Sequence, residues 1–226
     1  MESLWKWSVI PENFGFFMAG FRLTLTLFVL SWVGCWVFAI AFGAMRHSPR
    51  PWLRLPAAAV VEIVRGTPGL MFVVWVYFLS QPLIGVALSP FWAAVWALLI
   101  HQGAYGAEVV RAGLSSVPRG QVHAGYSTGL SYRQVMASIV LPQALRNMAP
   151  AIVNRSVALL KGTSLAFVIG VIELFRTGTI VNGRENASFA VFTFLGAVYF
   201  VCCFSLSRLG QRLGQRPGVI EDTTAV

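Results

Sequence analysis

FRLTLTLFVLSWVGCWVFAIAFGA, residues 21–44, is 24 residues long and carries one charged side chain, Arg22. As a helix it extends roughly 36 Å at about 1.5 Å per residue, more than the ~30 Å hydrocarbon core of a bilayer. An apolar approach beginning at Phe14 precedes it. Four comparable apolar blocks follow, at about residues 55–80, 91–107, 148–175 and 187–206. The chain therefore reads as an all-α membrane protein with five transmembrane helices.

Composition agrees with that reading. Of 226 residues, 57% are hydrophobic and 11% charged, where an ordinary soluble domain is about 25% charged. This balance excludes a soluble enzyme, a disordered chain and a nucleic-acid-binding module. The net charge of +9 thus implies no nucleic-acid partner; the charges matter by position. Cys35, Cys202 and Cys203 lie inside apolar blocks without metal-ligand spacing, and read as small core or lipid-facing residues. The first residues carry Glu2, Lys6 and Glu12, unlike the basic start of a cleavable signal, and the first apolar block is too long for one.

Loop charges set the orientation. The first loop holds Arg46, Arg50 and Arg54; the third holds Arg111, Arg119, Arg133 and Arg146; the C-terminal segment holds Arg208, Arg212 and Arg216. The opposite side holds only Lys6, Arg176 and Arg184, the last two accompanied by Glu173 and Glu185. Basic loops stay in the cytoplasm, which predicts the N-terminus out and the C-terminus in. The expected parts are an extracytoplasmic tail (1–13), a transmembrane unit (14–210) with its longest loop at about 114–146, and a cytoplasmic tail (211–226). That loop is below the roughly 40 residues a domain needs to fold alone. No Gly-x-x-x-x-Gly-Lys-Ser/Thr run occurs, so no P-loop is present, and any ATP is hydrolysed by another polypeptide. An odd number of spans cannot divide into two equal inverted halves. Pairing two such subunits is then the simplest way to enclose a path.

Several predicted spans contain ionisable or polar groups. A charge at a span's centre costs about 2.5–3.5 kcal/mol on insertion scales, so Glu62, Arg65, Arg155 and Lys161 are expected to face the bundle, a partner subunit or water. Glu62 and Arg65, three apart, share a helix face and can pair. Gly66, Thr67 and Pro68 follow, and Pro68 breaks the helical turn, giving a kink that either fits neighbouring helices or gates a path. His101 and Gln102 fall near mid-depth, with Tyr105 and Glu108 beyond them. A lone buried His such as His101 is more often a hydrogen-bonded structural residue than a ligand, and Glu108 reads also as the interfacial partner of Arg111. The fourth span carries Asn154, Arg155, Ser156, Lys161, Gly162, Thr163 and Ser164, and lines either a wet cavity or a subunit interface.

The third loop predicts a short helix from Pro118, a break at Gly129, and a second helix capped by Ser131 and ended by Leu141-Pro142. A short exposed helix between two spans is a lever; the plain alternative is a surface hairpin without a partner. This loop resembles the signature loop of ATP-binding-cassette importer permeases. Gly120-Gln121, His123-Ala124-Gly125, Gly129, Ile139 and Leu141-Pro142 occupy the signature positions, with His123 in place of the usual Glu and Gly125 in place of the second Ala. Residues 62–68 and 161–165, the latter followed by 168–174, resemble the second- and fourth-span signatures of the polar-amino-acid (histidine/glutamine/glutamate-type) branch. Residues 105–113, with Glu108, Arg111 and Ala112, fit as well. The resemblance covers about residues 20–210.

The resemblance implies a type I transmembrane domain whose coupling helix lies between spans 3 and 4. It implies a second permease subunit, identical or paralogous, an ATPase dimer beneath, and an extracytoplasmic amino-acid-binding protein, all in a bacterial inner membrane. Arg119, Gly120, Gln121, His123, Ala124, Gly125, Gly129, Leu130, Leu141 and Pro142 would couple to the ATPase. Glu62 to Pro68, His101, Gln102, Tyr105, Glu108, Asn154, Arg155, Lys161, Thr163 and Ser164 would line or gate the path. This chain would bind no cofactor; ATP and Mg belong to the ATPase. The rival readings are an ATP-independent channel or secondary transporter, an intramembrane enzyme (no protease or transferase constellation is visible), and a non-transporting scaffold.

Overall fold

A computed structural model describes residues 6–214, with side chains to 210. The described residues are helical, without a strand among them. The helices are α1 (Val9–Glu12), α2 (Phe14–His47), α3 (Pro51–Gly66), α4 (Gly69–Ile84), α5 (Pro90–Ser115), α6 (Arg119–Ser127), α7 (Tyr132–Val135), α8 (Leu141–Gly162), α9 (Leu174–Glu185) and α10 (Ser188–Gly214). Three stretches are long and apolar enough to cross a bilayer: Phe14–His47, Tyr132–Ile169 and Ser188–Gly210. The bent pair α3–α4 is a fourth if taken as one span. Helix α5 is long enough at 26 residues but is less apolar, carrying His101, Gln102, Glu108 and Arg111. Glu2, Arg212, Arg216 and the tail beyond 214 lie outside what is described at side-chain level.

Helix α5 is the hub, and small residues make it one. Ala93, Ala94, Ala97, Gly103, Ala104, Gly106 and Ala107 are buried along it, which lets neighbouring backbones approach. Its most extensive partner is α2. Gly34 lies against Leu99, Phe38 against Gly103, Ala39 against Gly106 and Gly43 against Val110. Both members of each pair ascend in sequence, so α2 and α5 run parallel. The intervening α3–α4 must then return the chain to the starting end of α2. Helix α8 runs antiparallel to α5, with Met148 against Gly113 and Gly162 against Leu98. Helix α10 runs antiparallel to α8, since Gly210 meets Val153 while Tyr199 lies near Lys161. The outer face of α2 is apolar and open: Val33 is 54% and Val37 66% exposed, as expected of a helix hydrophobic all round that sits in lipid. Cys35 and Cys203 are buried and Cys202 half-buried, all free thiols.

The break expected at Pro68 is present: α3 and α4 meet at a 109° bend, because Thr67 is extended and a residue before proline is held out of the helical region. Two expectations are corrected. The fourth block starts earlier and stops earlier. Its α-helix ends at Gly162, a 3-10 segment runs Thr163–Ile169, and Gly170 turns the chain at φ +89°. Leu141-Pro142 does not end the loop's second helix. A π-helical turn, Met136–Val140, joins α7 to α8, and this wider turn accommodates the Pro142 ring, which would crowd a regular α turn. Gln143 Nε2 donates to the Ile139 carbonyl at 2.9 Å beside it.

At the α2–α5 contact, a Cβ added to Gly43 would stand 2.7 Å from the Ala107 carbonyl oxygen and 2.6 Å from Val110 Cβ. Gly43→Ala is therefore expected to destabilise by about 1–3 kcal/mol, read as a lower thermal midpoint of the purified protein; an unchanged midpoint would refute this packing.

Candidate functional site

The site is built around the α3–α4 bend. The bend frees carbonyls at the end of α3, and α5 supplies the donors. Tyr105 Oη donates to the Arg65 carbonyl at 3.1 Å, and His101 Nε2 lies 3.2 Å from the Thr67 carbonyl. A carbonyl only accepts, so Nε2 carries the proton. Thr67 Oγ1 donates to the Ile63 carbonyl at 3.0 Å. At Gly69 a Cβ would lie 3.2 Å from His101 Cε1, so a glycine there lets the imidazole reach the bend. Gly66 is different: nothing lies within 4 Å of a Cβ built on it, so no close backbone approach accounts for the glycine there.

Beside the bend, α5 and α8 enclose a cleft of about 560 Å³ lined by polar Arg65, Tyr105, Glu108, Ser116, Asn147, Asn154 and Arg155. The Arg65 and Arg155 guanidinium carbons each lie 5.3 Å from the centre of the Tyr105 ring, an attractive geometry for a cation over an aromatic face. Arg111 Nε donates to both Glu108 oxygens at 3.0 and 3.1 Å. Glu62 pairs with Arg65 at 3.5 Å as expected, and more closely with Arg46, whose Nη2 lies 2.9 Å from it. The lining combines guanidinium groups, an aromatic ring and side-chain amides.

Not every expected site residue joins this cleft. Lys161 and Ser164 line a separate pocket of about 290 Å³ with Phe175, Phe192, Leu195, Gly196 and Tyr199. Thr163 is fully buried and donates to the Leu160 carbonyl at 2.7 Å, so it lines neither pocket. Gln102 points between α5 and α8, its Nε2 3.9 Å from a Cβ built on Gly162.

The loop forms a second element of the site. Pro118 precedes α6 and the helix closes with a Schellman motif. Leu130 N donates to the Gly125 carbonyl at 3.2 Å and Gly129 N to the Tyr126 carbonyl at 3.0 Å, with Gly129 at φ +83°, where glycine carries no steric penalty. Ser131 and Gln134 then form a capping box. Arg119, Gly120, Gln121, His123, Ala124 and Tyr126 are exposed, whereas Gly125 is buried. A Cβ at Gly125 would lie 2.7 Å from Ile139 Cδ1 and 3.1 Å from Val135 Cγ2. Gly125 thus marks the closest approach of α6 to the following helix, which accounts for a glycine where the signature has alanine. Leu130 packs into the same apolar cluster as Val117, Val135 and Val140.

Sequence reasoning missed Glu173, which it left among the loop charges. Its side chain is fully buried and caps α9. Phe175 N and Arg176 N donate to it at 2.7 and 2.9 Å, and Tyr199 Oη at 3.3 Å. Leu174 N donates to Thr24 Oγ1 at 3.0 Å. A lone acid inside the apolar run 168–175 was the available signal. At the same end, Lys6 pairs with Glu185 at 2.9 Å; the hydrogen bond to that carboxylate raises the Lys6 pKa.

Residues 36–219 match the family of binding-protein-dependent transport system inner membrane components. The chain belongs to that family. It is 38% identical over 208 residues to the probable glutamine ABC transporter permease protein GlnP of Bacillus subtilis, covering 91% of this chain and 95% of that one. It is 34% identical to the L-cystine transport system permease protein TcyB of Bacillus subtilis, covering 93% and 90%. It is 31% identical to the glutamate/aspartate import permease protein GltK of Escherichia coli, covering 93% and 97%. Among solved structures, an amino acid ABC transporter with histidines superposes at TM-score 0.84 with 29% identity, over 91% of this chain and 95% of that one. The MetNI methionine ABC transporter, at 20% identity and TM-score 0.78 over 90% and 96%, shares the fold.

Removing the Glu173 carboxylate leaves buried N–H groups unmatched, at about 1–3 kcal/mol. Glu173→Ala is expected to lower the thermal midpoint, and Glu173→Gln, which keeps an amide oxygen, to recover part of the loss. Equal midpoints for all three would show that the cap is not needed.

Proposed function

We propose that this chain is the transmembrane permease subunit of an ATP-driven amino-acid importer in a bacterial inner membrane. The observation that carries the reading is the exposed helix α6, held rigidly by its own caps between α5 and α7–α8, both of which continue into the bundle. A partner that moves α6 moves two helices lining the polar cleft. The chain crosses five times in this reading: α2, the bent α3–α4 pair, α5, α8 and α10, with N-terminus outside and C-terminus inside. The parallel course of α2 and α5 and the reversals at α8 and α10 support that count. The ten basic residues of the α6-side loops and C-terminal segment support the orientation.

In this reading α6 is the coupling helix. Two permease subunits, identical or paralogous, enclose the path, and each α6 sits in a groove of a separate ATPase dimer. That dimer binds ATP and Mg; this chain binds no cofactor and catalyses no covalent step. An extracytoplasmic binding protein delivers a polar amino acid. Closure of the ATPase dimer draws the two α6 helices together and opens the path outward, and hydrolysis returns it inward. Within the chain, the bend at Gly66, Thr67 and Pro68 gates the path. Arg65, Tyr105, Asn154 and Arg155 form its polar wall, and Lys161 a further cation on the route. The names of the relatives, which include glutamine, cystine and glutamate/aspartate permeases, support an amino-acid solute.

The test uses the chain assembled with its ATPase and binding protein in proteoliposomes. Ala124 is exposed, so Ala124→Arg disturbs no internal packing. ATP-driven uptake is expected to fall at least about tenfold, about 1.4 kcal/mol of lost docking, with normal membrane abundance; unchanged uptake would overturn the coupling role of α6. Uptake by the unaltered chain that persists without ATP would favour a channel or secondary transporter. Lys161→Ala is expected to lower uptake at normal abundance, and normal uptake would remove Lys161 from the route.

A further inference from the structure

Arg46, in the last turn of α2, reads from sequence as one of several loop charges that set orientation. Its surroundings give it a second role. Its side chain is 12% exposed, and one nitrogen, Nη2, reaches carboxylates on two other helices: Glu62 of α3 at 2.9 Å and Glu108 of α5 at 3.3 Å. Three helices therefore meet on one guanidinium. The other ion pairs here are local. Glu62–Arg65 and Glu108–Arg111 each lie within one helix at spacing three, and tie nothing to a neighbour.

We propose that Arg46 is a positioning residue for transport: it fastens α3 to the α6 end of α5, so that a displacement of α6 reaches the α3–α4 bend. The path of connection is short. Helix α5 ends at Ser115 and α6 begins at Arg119. Two turns before its end, α5 carries Glu108. Glu108 holds Arg46, Arg46 holds Glu62, and Glu62 lies one turn before the Gly66 end of α3. On the other side of the bend's carbonyls, Tyr105 holds the Arg65 carbonyl. Helix α3 is thereby tied to α5 through both a side-chain carboxylate and its backbone, and cannot swing away when α5 moves. Glu62 is 57% exposed in both of its pairs, so what sets Arg46 apart is that it joins different helices and approaches Glu62 more closely, at 2.9 Å against 3.5 Å for Arg65. Without Arg46, Glu62 and Glu108 lose their shared counter-charge, and the link between α3 and α5 is left to the Tyr105 and His101 hydrogen bonds and to the apolar contact of Val61 and Val64 with Ala104 and Ala107.

This inference rests on the ATP-driven import proposed above. The experiment compares the unaltered assembly with Arg46→Gln, Arg46→Lys and Glu62→Gln in proteoliposomes, measuring ATP hydrolysed per solute imported, basal ATPase rate and membrane abundance. Arg46→Gln is expected to keep basal ATPase and abundance while the ATP cost per solute rises about tenfold. Arg46→Lys, which keeps the charge, is expected to stay within about twofold of the unaltered assembly. Glu62→Gln, at an exposed position that threatens no packing, is expected to uncouple to a similar degree, and the double variant Arg46→Gln/Glu62→Gln to be no worse than either alone. A normal ATP-to-solute ratio in Arg46→Gln or in Glu62→Gln overturns the proposal. So does loss of abundance shared by Arg46→Gln and Arg46→Lys together with normal coupling in Glu62→Gln, the pattern of a merely structural residue. Absence of ATP-driven uptake in the unaltered assembly overturns the import reading itself, and is distinguished by that control.

Discussion

A backbone carbonyl or amide freed inside an apolar layer has no water to turn to, and leaving it unmatched costs several kcal/mol in hydrocarbon. The architecture of this chain follows from how it meets that constraint at two places where its helices break. At Thr67–Pro68 the carbonyls of Arg65 and Thr67 lie beside Tyr105 Oη and His101 Nε2. At Gly170–Glu173 the free amides at the start of α9 find Thr24 Oγ1 and the Glu173 carboxylate. Each break is stabilised by groups from a different helix, so each fixes the position of a neighbour as well as satisfying itself.

The same constraint sorts the intramembrane polar residues into two kinds. His101, Thr163, Thr24 and Glu173 have their hydrogen-bonding capacity engaged by backbone, and their roles follow from that geometry. Arg155, Asn154 and Lys161 make no such internal commitment and face clefts between α5, α8 and α10. The first kind builds a rigid frame with a bend in it. The second leaves charge and amide groups facing those clefts. Tyr105 belongs to both, since its hydroxyl holds the bend while its ring faces two guanidinium groups.

This division explains what the sequence makes legible. The apolar blocks, the loop charges and the α6 caps at Pro118, Gly129 and Ser131 are local in origin, and each can be read from neighbouring residues. The break at Pro68 is local too, but its 109° angle is not; it depends on α5 placing His101 and Tyr105 against the freed carbonyls. Glu173 escaped because an acid near Arg176 and Arg184 resembles a solvated loop charge, while its burial depends on Thr24 and Tyr199, distant in sequence. Arg155 and Lys161 line different pockets. Six residues apart on a helix, they point about 120° away from alignment at 3.6 residues per turn.

The loop is held as firmly as the bend. A lever transmits displacement only if it does not deform first. Helix α6 has nine residues, too few to be stable alone in water, so it depends on its ends and on the surface beneath it. The Schellman motif and the capping box fix its angle to α7, and Gly125 brings it onto Val135 and Ile139 more closely than any larger residue would permit. A Cβ at Gly125 would press on Ile139 Cδ1 and Val135 Cγ2, so the side chains beneath α6 would have to shift. In this chain the glycine leaves room for close contact between the exposed helix and the segment that continues into α8.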